Sequence, residues 1–248
     1  MSRWVRQIGI LVLMLLAGGL AVAQVGAKPK AGRSEISCVM EPSQEVNVGT
    51  PEDGILEYIG AERGDLVTAG QLLARLNSGV EAAAVDFQDA KAGFGARKKA
   101  RNEDLQRKKL ISEHELDEMS TEAKMAEMEL REKRERLKLR SINSPIRGIV
   151  VDVYKRKGDL IKQEKIFRIA QVDPLHVETV LPTPMFSKIK AGQTYEVTSQ
   201  LGGVYKARVS IVDKVIDAAS GTFRVRLILP NPRYDVPSGQ HCIVNFPA

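Results

Sequence analysis

One feature constrains this chain more than any other: a short β pattern appears twice, with a helix-forming stretch between the copies. Asp53-Gly54-Ile55-Leu56 returns as Arg147-Gly148-Ile149-Val150, Gly64-Asp65-Leu66-Val67 as Gly158-Asp159-Leu160-Ile161, and Leu72-Leu73 as Ile166-Phe167, all at one constant offset. A constant offset across separate segments marks one supersecondary unit used twice. Each copy reads as short apolar runs punctuated by glycine, Gly54, Gly60, Gly64 and Gly70 in the first. A unit this small cannot bury its apolar face alone. The halves are therefore expected to pack as a pseudo-symmetric sandwich, which makes the stretch between them an insertion.

That insertion, from Ser78 to Arg140, contains no proline and is rich in Ala, Glu, Lys and Arg. Ser78 with Glu81, and Ser112 with Glu115, have the spacing of a capping box. The second box falls mid-stretch, so a turn is expected near Ile111 and a second helix from Glu113. Leu116, Met119, Ala123, Ala126, Leu130 and Leu137 recur at alternating steps of three and four, with Lys133 breaking one position. A matching seam is expected on the first helix through Val80, Ala83, Phe87, Ala90 and Phe94, giving way to Arg97, Lys98, Lys99 and Arg101. Gly93 and Gly95 weaken that helix by about 1 kcal/mol each relative to Ala. The expectation is an antiparallel hairpin projecting on the order of 45 Å.

The flanks complete the outline. Arg3 and Arg6 precede an apolar run from Ile8 to Leu20, and Ala21-Val22-Ala23 supplies a small-x-small cleavage site. The run is shorter than the roughly 20 residues of a spanning helix, so residues 1–23 read as a Sec-type signal peptide or a retained anchor. Residues 24–34 read as a loose linker. After Pro174, short alternating runs such as His176-Val177-Glu178-Thr179-Val180 and Thr222-Phe223-Arg224-Val225-Arg226-Leu227 indicate a second β-domain, a small barrel, with a short helix expected at 184–189. Only 5% of the chain is aromatic and 27% is charged, which suits small β-modules and a solvated helix better than one thick core. Cys38 and Cys242 are an even pair in an exported chain: a disulfide or two buried thiols.

In this order the parts resemble the periplasmic adaptor subunits, or membrane fusion proteins, of RND-type efflux pumps. Gly64 to Leu73 is similar to that family's lipoyl half-motif, and Asn143-Ser144-Pro145-Ile146-Arg147-Gly148-Ile149-Val150 to its restart after the hairpin. In the barrel, Asp217 to Arg226, Asn231-Pro232 and Pro237-Ser238-Gly239-Gln240 fit the family's most recognisable stretch. The resemblance implies a mainly β chain with an inserted α-helical coiled-coil hairpin: a lipoyl-like (barrel-sandwich hybrid) domain plus a small β-barrel. The divisions are 1–23 signal peptide, 24–42 linker and N-terminal strand, 43–77 and 142–172 half-motifs, 78–141 hairpin and 173–248 barrel. It further implies an inner-membrane transporter, an outer-membrane TolC-like channel and a hexamer of the chain itself as partners, with a periplasmic site of action beside the inner membrane. Family adaptors grip the channel through an Arg-x3-Leu-x6-Ser pattern, and Arg101, Leu105 and Ser112 have that spacing. Ser112 would be a polar contact at the turn, Leu105 an apolar knob and Arg101 a charged contact. Many members continue into a membrane-proximal domain. Here at most a remnant is expected, around Ser34 to Glu41. Both cysteines are expected at the end far from the hairpin tip.

Other readings fit less well. A lipoate or biotin carrier presents a modified lysine between its half-motifs, where this chain carries the coiled coil. His114, His176 and His241 are isolated, with no HExxH or CxxC spacing. The methionines read as seam and core, Met125 and Met128 flanking Met119, so neither a metal site nor a cofactor is expected. The basic clusters at 97–109 and 131–140 alternate with acids and lack an aromatic platform, which argues for a solvated face and against nucleic acid. No enzymatic constellation is expected. Transporter type stays open between RND and ABC or type I export, with a static envelope scaffold as a third reading.

Overall fold

The computed structural model describes residues 33–247; the signal-peptide reading lies outside them. Its order is β1 (Arg33–Gly49), β2 (Gly54–Ile59), β3 (Leu66–Val67), β4 (Leu72–Leu76), α1 (Gly79–Arg107), α2 (Glu113–Leu139), β5 (Ser141–Asn143), β6 (Gly148–Val153), β7 (Leu160–Ile161), β8 (Lys165–Pro182), β9 (Thr194–Ser199), β10 (Val204–Val212), β11 (Thr222–Leu229) and β12 (Gln240–Pro247).

The repeat becomes an exchange between the halves. β2 pairs with β7 of the second half, and β6 pairs with β3 of the first. The turns interlock reciprocally. Gly64 N–H donates to the Val150 carbonyl at 2.8 Å, and Gly158 N–H to the Leu56 carbonyl at 2.8 Å. Both glycines have φ of +96°, a left-handed backbone that costs other residues roughly 1–2 kcal/mol. Beneath these turns Leu56, Val67, Leu73, Leu76, Val150 and Phe167 form one buried core.

The barrel follows the sheet order β1-β12-β9-β10-β11-β8 and is closed by β1 pairing with β8. Along β11, Phe223, Val225, Leu227 and Leu229 point inward while the residues between them point out, the period of two that the sequence displays. Strands β1 and β8 run through both modules, paired from Cys38↔Thr179 to Gly49↔Lys165, with a register shift after Pro42, which has no N–H to offer the ladder.

Several expectations change here. Arg33 and Ser34 belong to β1, not to a linker. Ser34 to Met40 pairs with β12 and forms barrel wall, so it is not the remnant of another domain. The boundary drawn at residue 43 falls inside a continuous strand, because the ladder carries across the bulge. The helix expected at 184–189 is a single 3-10 turn at Thr183–Met185. Ser78 precedes α1 without a side-chain cap. Its intended partner Glu81 instead pairs with Arg140, whose guanidinium also donates to the Asp53 carbonyl at 2.6 Å and ties both helix ends to β2's entry.

The α2 seam lies where expected, with Ala126 and Leu130 buried at its centre. The α1 seam does not: Val80 is 80% exposed, Phe87 71% and Phe94 57%. The face of α1 that meets α2 carries Glu81, Gln88, Gly95 and Lys98. At Gly95 the helices come so close that a Cβ would lie 3.3 Å from Ala123 Cα. Gln88, buried, and Lys91 both donate to Glu129 Oε2 at 2.6 Å, and Lys98 reaches Glu122 at 2.9 Å. From α1 the contact is largely polar and close, so that helix's valine and phenylalanines, Val80, Phe87 and Phe94, are left outside. Met125 and Met128, read as seam and core, are each 55% exposed.

Two features hold the barrel shut. Asn231, 1% exposed, donates its amide to the Val172 and Val236 carbonyls and accepts from Val236 N–H. Truncation to alanine strands those backbone groups. Urea unfolding of Asn231→Ala is expected to show a loss of about 3 kcal/mol. Cys38 and Cys242 stand opposite each other on β1 and β12, sulfurs 2.04 Å apart, closing a sequence separation of 204. Replacing both with serine is expected to cost about 2–4 kcal/mol in the same assay. An intact mass that rises by two hydrogens on reduction checks the bond.

Candidate functional site: the hairpin tip

The hairpin base sits where β1 ends. Thr50 Oγ1 contacts the Leu139 carbonyl, and Arg140 holds Asp53 there, so the helices leave the sandwich at its end away from the barrel. With 29 residues in α1, the tip stands about 43 Å out.

The turn is specified locally on both sides. α1 ends in a Schellman motif: Leu110 N–H donates to the Leu105 carbonyl at 3.0 Å and Lys109 N–H to the Gln106 carbonyl at 2.8 Å. Lys109 occupies the left-handed position, φ +59°, where glycine is usual. α2 begins with a complete capping box. Ser112 Oγ accepts from Glu115 N–H at 3.2 Å, and the Glu115 carboxylate accepts from Ser112 N–H at 2.8 Å. The Ser112 backbone bond, then its hydroxyl, hold the Glu115 carboxyl below its ordinary range.

Arg101 and Leu105 are four apart on α1 and so share a face. Arg101 is exposed and has no ion pair among the described residues, whereas nearby Asp104 is engaged by Lys108 at 2.9 Å and Arg107 at 3.0 Å. Leu105 is 36% exposed. Ser112 stands across the turn as an N-cap, its hydroxyl already committed to Glu115. Leu110, 68% exposed, is a tip residue the spacing pattern did not include. Its signal was the apolar pair Leu110-Ile111 inside an otherwise charged turn. The tip thus offers two exposed leucines, a free guanidinium and a rigid turn.

No known protein-family model matches the sequence, and no characterised protein matches it significantly. Solved structures do match in fold. A MacA-MexA chimera containing the Pseudomonas aeruginosa MexA α-hairpin superposes with a TM-score of 0.75 at 19% identity, over 88% of this chain and 81% of that one. An efflux-transporter protein from Bacteroides eggerthii gives 0.74 at 18% identity, over 86% and 68%. The membrane fusion protein Spr0693 of Streptococcus pneumoniae gives 0.66 at 16%, over 84% and 99%. The chain therefore has the membrane-fusion-protein fold.

The lowered Glu115 carboxyl sets a pH dependence. A depressed folded value means the box stabilises the tip at neutral pH and is lost as pH falls through that value. NMR titration of the Glu115 amide should report this loss in acid, and Ser112→Ala should remove the step.

Proposed function

We propose that this chain is a non-enzymatic periplasmic adaptor, joining an inner-membrane transporter of the RND type to an outer-membrane TolC-like channel in a tripartite efflux pump. The observation that carries the reading is the placement of Leu105, at the end of α1 with Arg101 unpaired among the described residues, and Leu110, in a turn capped on both sides, at the far end of a long hairpin. Leu110, 68% exposed, has most of its side chain open to a partner, and Leu105 keeps about a third of its surface open. They suit an apolar socket on a partner, with Arg101 supplying a charged contact. Support also comes from the efflux and membrane-fusion proteins that share the fold.

In this reading the β-modules of several copies, a hexamer, surround the transporter exit, and their hairpins form a tube that meets the channel. The chain seals and holds, and the transporter supplies the energy. The β1–β8 ribbon suits this role, since a hairpin that pushes on a channel needs a base rigidly continuous with the barrel.

The test is Leu105→Asp. Export by the intact pump is expected to fall to the level of an adaptor deletion, while the circular dichroism and melting of the purified chain stay as in wild type. A photo-crosslinker at Ser112 should capture the channel in cells. Undiminished export by Leu105→Asp would refute the tip contact.

A further inference from the structure

The barrel end farthest from the hairpin carries apolar groups that its core does not use. β1 and β8 are antiparallel and pair Cys38 with Thr179, so Ser34 stands level with Thr183, at the end opposite Gly49 and the hairpin root. Two loops form the rim there. Residues 183–193 follow β8, and residues 213–221 join β10 to β11. Thr183 ties them together, donating from its N–H at 3.0 Å and its hydroxyl at 2.7 Å to the Gly221 carbonyl. The first loop plugs the barrel with Met185 and Ile189, both buried. Phe186 stays outside, edge-on to the Phe223 ring at 5.2 Å. The second loop bulges. Asp213 N–H donates to the Arg224 carbonyl and Asp217 N–H to the Thr222 carbonyl, so Lys214, Val215 and Ile216 all stand opposite Phe223 alone. Val215 is 82% exposed, more than any other large hydrophobic side chain among the described residues, and Ile216 is exposed beside it.

Charge on the two loops is one-sided. Asp213 is paired with Arg224 at 3.2 Å, and Asp217 accepts from the Ala219 and Ser220 N–H groups. Lys188, Lys190 and Lys214 are exposed and have no ion pair among the described residues. The uncommitted charge of these loops is therefore all positive, and it lies beside exposed valine, isoleucine and phenylalanine. The chain also enters the fold at this end. β1 starts here, and the sequence before it holds the apolar run Ile8 to Leu20.

We infer that this rim rests on an anionic lipid surface. Val215, Ile216 and Phe186 enter the boundary between headgroups and acyl chains, and Lys188, Lys190 and Lys214 meet lipid phosphates. Apolar side chains flanked by lysines suit that boundary, where the ammonium groups stay in the headgroup layer. Insertion is shallow, because Lys214, Val215 and Ile216 take no part in the ladder and hydrocarbon would leave their backbone groups unpaired. A protein partner presents both signs of charge and would favour free acids as well as free lysines on the rim, whereas lipid phosphates present one sign. β1 and β8 run from this rim to the hairpin root, so the contact also sets the tilt of the hairpin on the membrane. The inference rests on the adaptor reading only for the presence of a bilayer beside the barrel.

The test uses the full chain with an environment-sensitive fluorophore on Val215→Cys, and vesicles of phosphatidylcholine with phosphatidylglycerol, no transporter being present. Cys38 and Cys242 are bonded to each other and do not take the label. The vesicles should brighten and blue-shift the label, and lipids with a nitroxide near the headgroup should quench it more than lipids with one at the chain end. The same label on Leu201→Cys, exposed on the β9–β10 turn at the barrel's other end, should not respond. With the label on Ser187→Cys, adding Val215→Asp and Ile216→Asp should abolish the response while melting is unchanged. A label at 215 that stays as in water while the chain sediments with the vesicles would overturn the proposal. Labels at 215 and 201 that respond alike would do the same, as would a photo-crosslinker at 215 that captures a protein in cells and no phospholipid. A chain that fails in these ways yet crosslinks to a channel through position 112 keeps its adaptor role and loses only the lipid contact.

Discussion

The reciprocal exchange between the two half-motifs is the interaction on which the rest depends. Gly64 reaches into the second half and Gly158 into the first, each donating to a strand that cannot otherwise complete its ladder. Val150 N–H returns a bond to the Asp65 carbonyl, and Leu56 N–H to the Asp159 carbonyl, both at 2.9 Å. Neither half is a folding unit without the other. The chain between them must therefore leave and return at neighbouring points, and an antiparallel helix pair does this with no strain on the sandwich. The hairpin's root is set by that requirement, with Arg140 holding it to Glu81 and the Asp53 carbonyl.

The second constraint is the sharing of β1 and β8. Two modules joined by a flexible linker would move independently. Here a paired ribbon runs through both, so barrel and sandwich are laid on one ladder. Asn231 sits close to this junction, taking a bond to the Val172 carbonyl and, through its own N–H, one to Asp173. A conspicuous Asn-Pro in the sequence thus has a structural task, closing the barrel against the strand that enters it from the sandwich.

The hairpin divides the local from the tertiary most clearly. The Ser112 box was readable because its members lie three residues apart and bond only to each other. Ser78 and Glu81 have the same spacing, yet no box forms, since Arg140 offers the Glu81 carboxylate a partner that is distant in sequence. The α2 seam was readable from its heptads. On α1 the most apolar line is not the packing line: the face that meets α2 carries Gly95 at the point of close approach to Ala123, with Gln88 and Lys98 reaching α2 carboxylates. The glycine that looked like a weakness of the helix is what allows the contact.

The amino-acid sequence by itself determined the twice-used β unit, the inserted hairpin, its turn and cap, and the alternating strands of the barrel, because each is written in short-range periodicity or spacing. Tertiary structure alone decided how far β1 extends, that Ser34 to Met40 is barrel wall, that Cys38 faces Cys242, and which side of α1 is exposed. The physical reason is the same in every case. A strand's partner, a cysteine's neighbour and a helix's buried face depend on groups brought close by the fold, and hydrophobic periodicity in one segment carries no record of what stands opposite it.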